Sequence, residues 1–258
     1  MARGKAASFP VRLLSALLAL LVWQLAAAML GNPLLLVGPI QVIGRLWELV
    51  FEASFWRAVG FTFSRITLGF LLAFCLALGL AVLAARFPLA QALIRPYMAA
   101  VQTVPVASFI VIALLWLSGR RLSIFIAFLM VLPVLYANLL QGVQAADEKL
   151  LEMARVFRMP LWNRVRCIYS PAIRPYCLSA CHSALGLCWK AGVAAEVIGV
   201  CSGSIGGMLY DAKVYLEIRD LFAWTLVIVL LSLGFEKLFT LALRGLFRVL
   251  EGKTCKLS

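Results

Sequence analysis

Long runs without a charged residue are the feature that most constrains what this chain can fold into. About 20 consecutive apolar residues cross a bilayer as one α-helix, which satisfies its own backbone hydrogen bonds in lipid. With 64% hydrophobic and 14% charged residues, the composition lies far from that of soluble proteins. The sequence therefore predicts an all-α, polytopic membrane protein. Uncharged runs cover residues 13–30, 66–85, 97–118, 122–146 and 221–235.

Six transmembrane helices are predicted, the fifth of which contains charged residues. A secretory signal peptide is the alternative for the first, because Ala26–Ala28 resembles a cleavage site. Its apolar run exceeds the roughly 7–15 residues usual for a signal peptide, so a retained helix is favoured. The predicted spans are 13–30, 66–85, 97–118, 122–146, 176–200 and 221–243.

Local patterns predict further elements between and within these spans. An amphipathic helix is expected over residues 40–57, lying at the interface, and a short loop between Arg86 and Arg95. Pro105 is expected to interrupt the third span, and residues 201–220 to form a polar external connection. Small residues at four-residue intervals predict that the second span is buried by close helix packing. They are Gly69, Ala73, Ala77, Ala81 and Ala85.

The distribution of Lys and Arg predicts the orientation in the membrane. With a cytoplasmic N-terminus and six spans, inner segments hold sixteen of these residues and outer segments six. Basic residues concentrate on the cytoplasmic side of membrane proteins. Both termini and the loop at 147–170 are thus expected in the cytoplasm. The same rule accounts for the net charge of +13, and no soluble basic domain is evident that would bind nucleic acid.

One long basic insertion interrupts the apolar sequence, at residues 152–175. Its apolar and basic residues interleave at helical spacing. Pro160 suits the first turn of a helix and pushes Met159 towards an extended conformation. Two short amphipathic helices, broken near Pro160, are therefore predicted to form a docking loop for another protein.

The same insertion resembles the "EAA" loop of the membrane subunits of binding-protein-dependent ABC importers. The matching residues there are Glu152, Ala154, Ile168 and Pro171, and the sequences PAIRPY at 171–176 and VAAEVIG at 193–199 are similar to nitrate/sulfonate/taurine-type permeases. The resemblance covers roughly residues 37–247. Met153 replaces the second alanine of the family motif, and Arg158 stands at its glycine. Because a positive φ at arginine costs about 1 kcal/mol, Pro160 is expected to make the turn instead.

This resemblance implies the type I ABC importer permease (MetI-like) bundle, with cytoplasmic coupling helices. The chain would be a single permease domain over 1–258, with an extra N-terminal span at 1–36, a family core at 37–247 and a coupling loop at 147–170. The implied partners are two copies of an ABC ATPase subunit, a second permease copy forming a homodimer, and a periplasmic or lipid-anchored solute-binding protein. The implied location is the bacterial cytoplasmic (inner) membrane.

By resemblance, the coupling loop would seat in a cleft of the ATPase, with apolar anchors at its centre and charges at its rim. The alternative is that the loop lies on the lipid surface with its arginines facing phosphates. The predicted coupling residues are Glu152, Ala154, Arg155, Phe157, Arg158, Leu161, Trp162, Arg164 and Arg166.

No phosphate-binding G-x-x-x-x-G-K-[ST] sequence occurs in the chain, so ATP and magnesium are expected on the partner subunit. The seven cysteines are dispersed, and a metal or catalytic site is not predicted. The function expected from the resemblance is ATP-coupled uptake of a small anionic solute through a pathway that this subunit helps to form. An integral-membrane enzyme and a membrane scaffold without transport are the alternatives.

Polar residues inside the predicted spans are candidates for the pathway. Charges at mid-membrane are costly, so Lys190 and Glu196 are expected to face the bundle interior or a wet cavity. His182, Gly186 and Lys190 share one helical face and would offer an anion a cationic lining. For Glu196, helix packing or gating is favoured over solute binding. The candidates are Gln102, Thr103, Asn138, Gln141, His182, Lys190 and Glu196.

Overall fold

The computed structural model describes residues 9–32 and 35–252, and every regular element within them is a helix. This confirms the all-α prediction. The basic residues Arg3, Lys5, Lys253 and Lys256, which entered the orientation count, lie outside the described residues. The helices are α1 (Phe9–Leu30), α2 (Pro39–Val50), α3 (Ala53–Arg86), α4 (Pro88–Thr103), α5 (Val106–Ala113), α6 (Gly119–Gln144), α7 (Glu148–Val156), α8 (Leu161–Arg164), α9 (Ser170–Ile198), α10 (Ile205–Val214) and α11 (Ile218–Glu251).

Three of the described helices, α3, α6 and α11, are long and apolar enough to cross a membrane. The pair α4 and α5 forms a fourth candidate, bent by 97° at a break that contains Pro105. Pro105 therefore interrupts the third span as predicted. Helix α9 has 29 residues, long enough to span, but Lys190 and Glu196 reduce its apolar character. A count of six spans stays a prediction.

Helix α6 is the centre of the bundle and packs between α3 and α9. Its contact with α3 is close, because a Cβ on Gly69 would lie only 2.7 Å from the carbonyl oxygen of Ile124. Ala73, Ala77 and Ala81 are fully buried on the same face, while Ala85 is only half-buried. Because a helix has 3.6 residues per turn, residues spaced four apart move gradually around its surface. By the end of α3 the buried position is therefore Ala84 rather than Ala85.

Helix α2 is shorter than the amphipathic helix predicted over 40–57. It ends at Val50, and α3 begins at Ala53, so Phe55 belongs to α3. The apolar face of α2 packs on the bundle in a cluster that includes Phe55 and Trp224, whose rings stack 5.2 Å apart. Arg45 on its polar face donates to Asp220 at the start of α11, with Nε 2.6 Å from Oδ1. Both contacts fix α2 to the bundle.

Two predicted connections are instead helical. Helix α4 begins at Pro88, directly after Phe87, so Arg95 lies inside a helix rather than at the end of a loop. The region 201–220, expected to be a polar connection, contains α10, whose first turn is buried. Proline at the first position starts α4 without losing a hydrogen bond, and the Ser204 hydroxyl caps α10 by accepting from the Gly207 N–H.

Candidate functional site

The first candidate site is the α7–α8 hairpin, residues 147–164, at the end of α6. The Asp147 side chain caps α7 by accepting from the backbone N–H of Lys149, at 2.9 Å. Pro160 is the N-cap of α8, with φ −60° and ψ 148°. The predicted pair of short helices is therefore present, with its break at residues 157–160.

Arg158, rather than Pro160, makes the turn in this break. Its φ is +48°, and the two hydrogen bonds around it are those of a Schellman helix end. The Met159 N–H donates to the Ala154 carbonyl at 2.9 Å, and the Arg158 N–H donates to the Arg155 carbonyl at 3.1 Å. The expectation that Pro160 would replace a positive φ at Arg158 is wrong, because this helix end needs a left-handed residue whichever side chain it carries.

We expect Arg158→Gly to stabilise the protein. Glycine adopts the left-handed conformation without strain, which adds roughly 1–2 kcal/mol to the folding stability. The larger conformational entropy of glycine in the unfolded chain offsets about 0.4–1 kcal/mol of this gain. The expected net stabilisation is about 0.5–1 kcal/mol. The free energy of unfolding in mixed micelles measures this. Arg158→Ala is the matched control, because it removes the charge and keeps the strain. Equal stability of the glycine and alanine variants would contradict the prediction.

The hairpin is held by a small core of its own. Ala154 is 3% exposed and packs with Ala146 and Ile168, the latter from the segment that leads into α9. Arg164 reaches back to the α7 end, with its guanidinium 3.4 Å from the Ala154 carbonyl oxygen. Ala154 and Arg164, both predicted coupling residues, thus face the inside of the hairpin and fix its shape.

A second attachment joins the base of the hairpin to the last helix. The residues Val165–Tyr169 form one π-helical turn between α8 and α9. Within this turn Arg166 donates from Nε to the backbone carbonyl of Leu250, near the end of α11. A cation is favourable at a helix C-terminus, where carbonyls lack partners. Arg166 is one of the predicted coupling residues, and in the structure its side chain caps the C-terminal end of α11.

The outward surface of the hairpin carries large apolar side chains beside charges. Glu152 and Arg155 are exposed. The exposed fractions of its large apolar side chains are 75% for Phe157, 76% for Leu161 and 63% for Trp162. Apolar anchors ringed by charge are typical of protein interfaces.

The second candidate site is a buried polar cluster around Glu196, which is completely buried near the end of α9. Its Oε2 accepts from the Thr62 hydroxyl at 2.8 Å and from the Gly206 N–H at 3.2 Å. The Ile205 N–H in turn donates to the Thr62 hydroxyl oxygen at 2.9 Å. Helices α3, α9 and α10 thereby meet at one carboxylate, as expected for an interior charge.

Close backbone approach makes this cluster possible. A Cβ on Gly206 would lie 2.3 Å from the Glu196 Cβ, so only glycine fits there. Glu196 accepts from the first turn of α10, where backbone N–H groups have no helical partner and favour negative charge. This arrangement favours the packing role of Glu196 over contact with a solute.

The other charged candidates on α9 face away from the core of the chain. Lys190 is exposed, so it does not face the core of this chain, and the expectation that it faces a wet cavity stays a prediction. His182 is also exposed, and its Nδ1 lies 2.5 Å from an Oε1 atom of Glu236 on α11. Gly186 between them has open space around its Cα. The three residues share one outward face, but Glu236 offsets the cationic lining expected there.

Two further candidates use their polar atoms within their own helices. The Thr103 hydroxyl donates to the Ala100 carbonyl at 3.0 Å, and the Asn138 amide donates to the Val134 carbonyl at 2.8 Å. Both hydrogen bonds are made within one helix and need no neighbouring helix. Neither residue lines the cavity described next.

The third candidate site is a cavity of about 370 Å³ between α4 and α6. Gln102 and Gln141, both predicted pathway residues, lie in its wall, together with Arg95 and Tyr136. Neither Arg95 nor Tyr136 was a predicted pathway residue, and Arg95 was placed at the end of a loop. The available signal was the spacing of Gln91, Arg95 and Gln102, which puts all three on one face of a helix.

Three of the cysteines, Cys177, Cys181 and Cys188, are buried in the bundle core. In residues 9–32 and 35–252, no group of three or more His, Cys, Asp or Glu side chains is arranged to hold a metal ion.

The sequence of this chain is similar to a protein family model and to several transport permeases. A family model described as "Binding-protein-dependent transport system inner membrane component" matches residues 76–251. A Bacillus subtilis protein assigned as the permease for aliphatic sulfonates transport is 27% identical over 80% of this chain and 75% of its own length. The nitrate import permease of Synechococcus elongatus is 26% identical over 75% and 72%. The taurine transport permease of Escherichia coli is 23% identical over 88% and 82%. The family match spans more than half of the chain and includes the hairpin, α9 and α11, so this protein belongs to the family of binding-protein-dependent transport system inner membrane components.

Proposed function

We propose that this chain is the membrane subunit of an ABC importer which couples ATP hydrolysis by a separate ATPase to the uptake of a small anionic solute. The observation that carries the proposal is the α7–α8 hairpin, which exposes Phe157, Leu161 and Trp162 while its base is fixed to α9 and α11. Exposed aromatic side chains on a rigid support are suited to binding another protein.

The mechanism follows from how the hairpin is attached. Ala154 and Ile168 pack the hairpin onto the start of α9, and Arg166 binds the end of α11. A displacement of the hairpin would therefore be passed to two long helices together. Closure of two ATPase subunits beneath the hairpin would tilt these helices and alternate the opening of the pathway.

The rest of the assembly is proposed on the same basis. The hairpin and both termini face the cytoplasm of the cell, in agreement with the excess of Lys and Arg in the predicted inner segments. Two copies of the chain form the pathway, two ATPase copies bind the hairpins, and a solute-binding protein delivers the solute on the other side. The anionic solute is supported by relatives named for sulfonates, nitrate and taurine.

Reconstitution tests the proposal. The chain is purified in mild detergent with its proposed ATPase and binding protein, and uptake of labelled taurine, nitrate and an alkyl sulfonate into proteoliposomes is measured. We expect uptake of one of them to require ATP on the hairpin side and the binding protein on the other. The matched control omits the permease. A permease that retains no ATPase and supports no ATP-dependent uptake would contradict the proposal.

A further inference from the structure

The cavity between α4 and α6 has the size and wall of a ligand site. Its volume of about 370 Å³ falls in the range of small-molecule pockets, roughly 300–1,000 Å³. The polar part of its wall comes from one cation, one phenol and four amides, while the remaining wall residues are apolar. The polar side chains are Gln91, Arg95, Gln102, Tyr136, Gln141 and Gln144.

The charge of this wall is positive, because Arg95 is its only ionisable residue of fixed charge and no Asp or Glu lines the cavity. In the part of the chain that the structure describes, Arg95 makes no ion pair with a carboxylate. An arginine presents a planar fork of donors that matches a carboxylate, sulfonate or phosphate group. The amides beside it supply further N–H donors. The wall is therefore complementary to an oxyanion.

Tyr136 gives an independent indication of a missing partner. The residue is only 5% exposed, yet its hydroxyl is buried without a hydrogen-bond partner among the described residues. A buried hydroxyl left without a hydrogen-bond partner is costly, so such groups are normally hydrogen-bonded. An oxygen atom of a bound anion in the cavity would accept a hydrogen bond from this hydroxyl.

We propose that this cavity is an anion-binding site for the transported solute, taking a small sulfonate or carboxylate with a short apolar body. Arg95 binds the oxyanion as a fork, the Tyr136 hydroxyl donates to it, and the glutamine amides complete its shell. Met98, Pro133 and Leu140 provide the apolar wall. The role as a solute site rests on the proposed importer function. The phosphate of a lipid headgroup shares the oxyanion chemistry and is the other source of a ligand.

Binding of 1-butanesulfonate to the purified full chain, in nanodiscs of zwitterionic lipid and without ATPase, tests the site by calorimetry. Butanesulfonamide, which has nearly the same shape and no charge, is the ligand control. We expect butanesulfonate to bind and the sulfonamide not to bind. Arg95→Gln should weaken binding about tenfold or more, since a hydrogen-bonded charge is worth roughly 1.5–3 kcal/mol. Arg95→Lys should restore part of the affinity.

Two further variants separate the site from a structural defect. Tyr136→Phe should weaken binding several-fold while leaving the ligand-free protein as stable as the wild type or more so, because it removes the unpaired hydroxyl. Arg86→Gln, at the end of α3 and outside the cavity, should bind within about twofold of the wild type. Absent binding, or equal binding by the wild type and Arg95→Gln, would overturn the site.

A lipid occupant is distinguished by changing the bilayer. If nanodiscs of phosphatidylglycerol abolish butanesulfonate binding and tightly held lipid co-purifies with the wild type but not with Arg95→Gln, the cavity holds a lipid phosphate and the solute site is overturned. Unchanged binding in both lipids supports the solute site. Because binding is measured without ATPase, its failure with intact ATP-dependent uptake overturns the site alone. Intact binding without uptake overturns the importer function and the solute role that rests on it, and leaves the anion-binding site standing.

Discussion

Glu196→Ala is expected to cost about 2–4 kcal/mol of folding free energy, the largest loss of stability from any single polar side chain described above. The substitution removes the acceptor of the Thr62 hydroxyl and of the Gly206 N–H, both of which are fully buried. Each donor left unpaired costs about 1–3 kcal/mol. The free energy of unfolding in mixed micelles, together with the yield of folded protein, measures the effect.

The controls isolate the carboxylate contacts. Glu196→Gln keeps one acceptor oxygen in nearly the same volume and should lose less than half as much stability. Asp211→Ala removes an exposed carboxylate from α10 and should change stability by less than about 0.5 kcal/mol. If Glu196→Ala is as stable as Asp211→Ala, the buried cluster does not hold α10 to the bundle.

The second large effect concerns transport and leaves folding intact. Trp162→Ala should lower coupled uptake and retention of the ATPase about thirtyfold, since truncating a central aromatic anchor costs about 2 kcal/mol or more in an interface. Because Trp162 is 63% exposed on α8, its loss should change the stability of the free chain little. ATP-driven uptake in proteoliposomes and the amount of co-purified ATPase are the measurements.

Trp116→Ala is the matched control, because Trp116 is 77% exposed in the turn before α6, at the opposite end of that helix from the hairpin. It should transport as the wild type does. Glu152→Arg reverses a charge on the outward face of α7 and should also uncouple hydrolysis from uptake, whereas Glu52→Arg, before α3, should not. Normal uptake by both Trp162→Ala and Glu152→Arg would remove the docking role of the hairpin.

Several parts of this fold could be predicted because they depend on local sequence. Apolar runs gave the long helices, since only a helix satisfies backbone groups in lipid. Pro105 marked the bend between α4 and α5, because a proline cannot donate to the helical ladder. Pro160 marked the break between α7 and α8 correctly, although Arg158 makes the turn. Stereochemistry alone disfavours arginine in that conformation, whereas the Met159 to Ala154 hydrogen bond requires it.

Other parts depend on which helices become neighbours. From the sequence, the region of α10 was predicted to be a polar connection, since glycines are common in turns. In the structure, the lack of a side chain at Gly206 allows the backbone of α10 to pack directly against Glu196 of α9. In the sequence, nothing distinguishes Arg166 from the other basic residues of the docking loop. Its role depends on the position of the C-terminal end of α11, which lies beside it in the structure. Arg95 was placed in a loop because the local signals for α4, Pro88 and the spacing of Gln91, Arg95 and Gln102, do not show that α4 packs against α6.

The sequence by itself determined that this protein is a helical membrane protein and where its exposed basic hairpin lies, because hydrophobicity and charge act on short segments one at a time. Only the tertiary structure decided that Glu196 joins three helices, that Arg166 caps α11, and that Arg95 and Tyr136 share a cavity. Each of these depends on distances between residues far apart in the chain, and such distances are set by packing of whole helices.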